Sequence, residues 1–229
     1  MISQLKYQET VSKSTAKGPG YIVVEGPIGV GKTTLANKLA RSFGSDLLLE
    51  GADENPFLET FYDNPRVAAL PTQMFFLLQR ARQLKAMKQE DMFNPVRVAD
   101  FVIEKDRLFA ELTLDTDELD LYEQVYASLT IDIPTPDLVV YLQAAVEVLL
   151  ERLQKRGLQH ERFIEAAYLQ RVCDSYIQVF YQYNSEPLLI VNAADIDFAN
   201  NDEDYQLLHQ QITEVQSGRH YFNPTQVAL

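Results

Sequence analysis

The sequence predicts an α/β fold in three layers, a five-stranded parallel sheet flanked by helices. Three observations predict it. Short apolar, β-branched runs alternate with stretches of helical periodicity, the pattern of parallel strands joined by helical crossovers. The first run leads directly into Gly26-Pro27-Ile28-Gly29-Val30-Gly31-Lys32-Thr33, which fits the phosphate-loop pattern G-x-x-x-x-G-K-[ST]. The next two runs close on carboxylates, Glu50 and Asp100, where a parallel sheet collects its ligand-facing groups.

Taken in order, residues 1–20 are polar, end in Gly18-Pro19-Gly20 and read as a flexible leader. Tyr21 to Glu25 is the first strand, and Thr34 to Ala40 lies in the first helix, which ends near Phe43. Asp46 to Glu50 is the second strand. A helix follows from Glu54 to Tyr62, with Pro56 near its first turn, and Asp63-Asn64-Pro65 breaks it. Phe76, Leu77, Leu84 and Met87 recur at helical spacing and predict a long helix over 72–88. Val96 to Asp100 is the third strand. Helices over 105–112 and 117–129 follow, the second with Asp115, Thr116 and Asp117 as N-cap candidates. Residues 131–136 read as a linker and Asp137 to Leu142 as the fourth strand. Helices over 146–155 and 164–183 lead to a fifth strand, Pro187 to Val191, and a last helix over 203–215. Residues 217–229 read as a tail, which leaves one domain over 21–216.

Composition narrows the function. With 46% hydrophobic and 23% charged residues the chain is globular. Its net charge of −13 argues against a nucleic-acid partner, which needs a basic face. The single cysteine, Cys173, rules out an internal disulfide and reads as a small buried apolar residue. No apolar run reaches membrane-spanning length and the start lacks a signal-peptide pattern, so the expectation is a cytoplasmic protein without a membrane partner.

The phosphate loop, set between a strand and a helix, expects a triphosphate on the backbone N–H groups of Gly26, Gly29, Val30, Gly31, Lys32, Thr33 and Thr34. Lys32 reaches the β- and γ-phosphates, and the Thr33 hydroxyl, with Asp100, is the expected Mg²⁺ ligand. GTPases require Asn-Lys-x-Asp. The only Asn-Lys here, Asn37-Lys38, continues as Leu39-Ala40 inside the first helix, which discards that branch. Motor and transporter ATPases carry further modules for which the chain is short. A small-molecule kinase remains.

From about Tyr21 to Tyr205 the sequence resembles the deoxynucleoside kinases, particularly the bacterial deoxyadenosine/deoxyguanosine kinases. The residues that carry the resemblance are the phosphate loop, Glu50 with Asn55-Pro56-Phe57-Leu58 and Phe61-Tyr62, Gln73 with Arg80, Arg152-x-x-x-Arg156, and Asp197-Phe198. The resemblance implies a P-loop kinase fold with a short lid at about 152–163, ATP as donor, Mg²⁺, a deoxynucleoside acceptor with purines favoured, and a homodimer. It implies Glu50 as general base for the 5′-hydroxyl, Gln73 as partner of the nucleobase, Tyr62 and Glu161 at the sugar 3′-hydroxyl, Arg152 and Arg156 on the donor phosphates, and Asp197-Phe198 at the donor's adenine. Arg80 lies two helical turns beyond Gln73 on the same face, with Phe76 between them as either a pocket wall or a core residue.

Two positions depart from the family pattern. Phe101 stands where an arginine is expected after the third strand, and Lys105, or else Arg107, is the candidate replacement cation. Leu158 stands at the lid's third arginine position, with Arg162 as the substitute; His160 reads as exposed lid. A rival reading, a nucleoside-monophosphate kinase, needs a phosphate-binding cluster begun by Arg80 and Arg82. A second rival is a nucleotide-binding regulatory module without turnover, suggested by Phe101 and Leu158.

Overall fold

The structure, a computed structural model, describes residues 19–89, 97–129 and 135–224. Most of the leader, Val96, most of the linker and the last tail residues lie outside the described residues.

Six parallel strands form one sheet in the order β2-β3-β1-β4-β5-β6. They are β1 (Tyr21–Glu25), β2 (Asp46–Leu48), β3 (Arg97–Ala99), β4 (Leu138–Gln143), β5 (Leu188–Asn192) and β6 (Arg219–Phe222). The helices are α1 (Lys32–Phe43), α2 (Leu58–Asp63), α3 (Pro65–Gln89), α4 (Glu104–Thr113), α5 (Thr116–Ser128), α6 (Val146–Arg156), α7 (Ala166–Gln182) and α8 (Asp202–Glu214).

The alternation within β1 shows how the layers assemble. Ile22 and Val24 pack on the side of α1, α6 and α8, with Leu35, Leu149 and Leu208. Tyr21 and Val23 face the other way, toward Leu84 of α3, Leu108 of α4 and Tyr176 of α7. A strand buried on both faces needs apolar residues at every position, and the first four of β1 are Tyr-Ile-Val-Val.

Four expectations are corrected. The sheet has six strands rather than five, because residues 219–222 of the expected tail pair with β5. Arg-His-Tyr-Phe is largely exposed and has no strand pattern of its own; the open edge of β5 supplies the template. Arg219 also donates to the carbonyls of Phe180, Tyr181 and Tyr183 at 3.1, 2.9 and 2.8 Å, closing the end of α7. The long helix starts at Pro65 rather than Thr72 and runs through Pro71. Pro65 suits a first helical position. Pro71 removes the hydrogen bond to the carbonyl of Val67, in a turn where that residue is 67% exposed. The helix expected over 54–62 divides into a 3₁₀ turn, Ala52–Glu54, and α2. Asn55 makes the break: its side chain accepts from Phe57 N at 3.0 Å and donates to Thr72 O at 3.1 Å. Finally, β2 and β3 end before Glu50 and Asp100, so both carboxylates lie in the loops just past the strands. The Asp115 cap is present, as a capping box with Glu118.

Candidate active site

The phosphate loop joins fully buried β1 to α1. Gly26 and Gly31 have φ of +148° and +107°, and a Cβ on Gly26 would lie 2.3 Å from Leu142 O. On Gly31 it would meet the Phe198 ring at 3.0 Å, so no other side chain fits without displacement. Lys32 Nζ donates to Gly26 O at 2.8 Å, folding the ammonium back across the loop. Thr33 Oγ1 donates to Asp100 Oδ2 at 2.7 Å, while Asp100 Oδ1 accepts from Glu50 N at 2.7 Å. One carboxylate thus links the start of α1 to the loops after β2 and β3. Among the described residues no group of three or more His, Cys, Asp or Glu converges as a metal cage. Thr33 and Asp100 together offer two hard oxygen ligands, enough for an ion that keeps water and phosphate oxygens in its shell.

Beside the loop lies a nearly buried charge cluster. Glu50 accepts from Lys105 Nζ at 2.8 Å and from Arg80, and Arg80 also pairs with Asp106. Glu25, fully buried at the end of β1, accepts from Val102 N (2.8 Å), Gly26 N (3.0 Å) and Tyr176 Oη (3.0 Å), and lies 3.7 Å from Lys105. Burial pushes the Glu50 carboxyl up, but the Lys105, Arg80 and Lys32 charges outweigh it and hold the group well below the usual carboxylate range. Burial, reinforced by Lys105, lowers the Lys32 ammonium, against the opposing charges of Glu50, Glu25 and Asp100.

The cluster forms one end of a cleft of about 490 Å³. Lys32, Thr33, Glu50, Asp100, Lys105 and Arg80 line the cleft at this cluster; Tyr62, Gln73, Phe76 and Glu161 are among its other lining residues. Phe76 fills both of the roles open to it: it packs with Leu58 and Phe61, and it lines the cleft under the Arg80 guanidinium, 4.9 Å away. Tyr62 stacks on His160 with ring centroids 6.2 Å apart and stands edge-on to Tyr168. Burial raises the Tyr62 hydroxyl well above its ordinary value, with Tyr168, Glu50 and Glu161 adding to the shift, so Tyr62 is a neutral hydrogen-bonding group at any physiological pH. Glu161 is buried and receives Arg156 Nε at 2.8 Å.

A second cleft of about 840 Å³ opens on the far side of the loop, lined by Val30, Gly31, Arg152, Asp197 and Phe198 among others. Gly29, Thr34 and Arg156 line both clefts. Arg152 is spent on backbone, donating to Val30 O at 3.1 Å and Ala193 O at 2.6 Å. Phe198 is buried beneath Gly31, and Asp197 accepts from Asn200.

The structure separates the candidates for the departures. Phe101 is fully buried, its ring 5.7 Å from the Arg80 guanidinium. Lys105 is in the cleft wall, 4% exposed, whereas Arg107 faces solvent with Glu111 and Glu123. Leu158 lines the first cleft; Arg162 lines neither and covers the Phe163 ring. Arg82 is exposed and outside the first cleft, so Arg80 has no second arginine there from α3.

Glu25, Asp106, Tyr168 and Tyr176 escaped the sequence reading. A carboxylate ending an apolar strand immediately before a phosphate loop is a signal for Glu25. Asp106 sits in the mixed run Glu104-Lys105-Asp106-Arg107, where nothing in the spelling marks which charges turn inward.

A family model described as deoxynucleoside kinase matches residues 22–217. The chain belongs to the deoxynucleoside kinase family. This kinase is 36% identical over 201 residues to a deoxyguanosine kinase of Bacillus subtilis (strain 168), covering 85% of its own chain and 97% of the relative. It is 30% identical to a deoxyguanosine kinase of Lactobacillus johnsonii, covering 83% and 90%. A solved deoxyadenosine kinase from M. mycoides, with the products dCMP and dCDP bound, superposes with a TM-score of 0.73 at 23% identity, covering 84% of this chain and 98% of that one. That likeness speaks to the fold. The kinase phosphorylates a deoxynucleoside, and no helix among its described residues is long and apolar enough to cross a membrane.

Proposed function

We propose that the kinase transfers the γ-phosphoryl group of ATP to the 5′-hydroxyl of a purine deoxynucleoside, with Glu50 as general base. The observation that carries this reading is the position of Glu50. Its carboxylate lies where the first cleft meets the phosphate loop, ionised by Lys105 and Arg80 and joined through Asp100 to Thr33. The acceptor enters the first cleft with its base toward Gln73 and Arg80 and its sugar between Tyr62 and Glu161. The donor's phosphates lie along Gly29 to Thr34, its adenine in the second cleft by Asp197 and Phe198. Glu50 takes the 5′-hydroxyl proton as the oxygen bonds to phosphorus. Lys32, Lys105 and Arg156 face the charge that builds on the transferring group. Thr33 and Asp100 would hold Mg²⁺, which would supply charge neutralisation to the donor's phosphates. Arg152 acts through the loop, holding Val30 in place. The same reading makes the kinase cytoplasmic, and a homodimer as its family resemblance implies. Two deoxyguanosine kinases among its relatives, at 36% and 30% identity, support the purine assignment.

A coupled ADP-release screen tests the reading against the four common deoxynucleosides, their ribonucleosides and their monophosphates. Deoxyguanosine and deoxyadenosine are expected to give the highest kcat/KM. Turnover with monophosphates alone overturns the proposal.

A further inference from the structure

We propose that Thr113 fixes the orientation of the Gln73 amide, and so sets which purine the kinase prefers. The inference rests on the reading that Gln73 pairs with the base.

Hydrogen-bond polarity fixes which way the amide faces. Thr113, the last residue of α4, donates its hydroxyl proton to Phe109 O at 2.6 Å. A carbonyl only accepts, so that proton is committed, and the Thr113 oxygen is left as an acceptor. Gln73 Nε2 lies 3.2 Å from that oxygen. Whichever amide atom sits there must donate, which identifies it as nitrogen whatever the assignment of the side chain. Gln73 is 4% exposed and lines the cleft, whereas Thr113 does not line it and stands behind the amide. The proton that Nε2 gives to Thr113 leaves Oε1 and the second N–H for the cleft, in a fixed order.

That order matters because the two purines present opposite patterns. Adenine offers a donor at N6 and an acceptor at N1; guanine offers an acceptor at O6 and a donor at N1. A free amide turns over and serves either, so glutamine alone discriminates nothing. An amide tied through its nitrogen matches one edge and sets donor against donor and acceptor against acceptor with the other. Turning it over would oppose its oxygen to the Thr113 oxygen, whose only proton is already given to Phe109.

The test is the ratio of kcat/KM for deoxyguanosine and deoxyadenosine in wild type, Thr113→Val and Thr113→Ser. Wild type is expected to prefer one purine. In Thr113→Val the preference should fall by roughly tenfold, the effect of one hydrogen bond at a buried polar group, and the change should appear as a lower KM for the disfavoured purine, which the freed amide can now serve. Thr113→Ser keeps the hydroxyl and should keep the ratio. Thr113→Ala reads the same ratio if the valine variant does not fold. An unchanged ratio, a parallel loss on both purines, or a wild type without preference overturns the inference. If wild type turns over neither purine, the base-pocket reading itself has failed; if purines are turned over and only the ratio is unmoved, that reading stands.

Discussion

If Glu50 is the general base proposed above, Glu50→Gln is expected to lower kcat by about 10²-fold or more, the scale of a missing general base, with KM for the deoxynucleoside changed far less. The amide cannot take the 5′-hydroxyl proton, and it presents N–H groups to Lys105 and Arg80 where a carboxylate stood. A carboxyl held so far below its usual range is a weak base, yet the chemistry suits it. The attacking alcohol becomes strongly acidic only as its oxygen bonds to phosphorus, so the proton leaves late, to an acceptor already in place. The sign of the pH dependence follows. Because the folded group's pKa is depressed, Glu50 is a carboxylate at neutral pH and stays one as pH falls through the ordinary carboxylate range. No acid limb in kcat between pH 7 and 5 should therefore trace to it. Its ion pairs contribute stability at neutral pH and lose it only as pH falls below the unfolded carboxyl's range toward the depressed value. Steady-state kinetics and a pH profile check both points; near-normal kcat in the variant removes Glu50 from the mechanism.

Lys105→Met comes next in size, with kcat falling by about 10²-fold, the scale of one lost electrostatic donor in a water-poor site. Lys105 is the cation of the cleft wall nearest Glu50 apart from Arg80, and it lies against Glu25 as well. Methionine keeps the length and the burial but removes the charge, leaving two acidic groups with less compensation. Lys105→Arg should recover part of the rate. A thermal melt separates catalytic loss from unfolding, since removing one member of a buried ion pair costs about 3–5 kcal/mol. Wild-type kcat in the methionine variant would reduce Lys105 to a structural charge.

How much of this was legible depends on where the information lies. The phosphate loop is written in consecutive residues, and Gln73 with Arg80 in helical spacing, so both were readable. The choice between Lys105 and Arg107 was not. Two residues apart on a helix point to nearly opposite sides, and only the packing of α4 against α3 and α7 decides which faces in. Asp106 was hidden for the same reason, whereas Glu25 carried a signal in its place at the end of an apolar strand but not its partners. Their burial comes from partners far along the chain, Tyr176 for Glu25 and Arg80 for Asp106. The sixth strand had no pattern to read, because an edge strand takes its conformation from its neighbour. The helical spacing of apolar residues picks up only from Phe76, so the first turns of α3 went unread, and its Pro71 sits in an exposed turn that absorbs it.

The grip of Arg219 on the end of α7 has a mechanical meaning. Helix α7 is a rod of about 26 Å by its rise per residue. One end carries Tyr168 into the first cleft; the other is clamped by a guanidinium from the outermost strand. Helix α7 is thus tied at both ends, to the cleft wall through Tyr168 and to the outermost strand through Arg219.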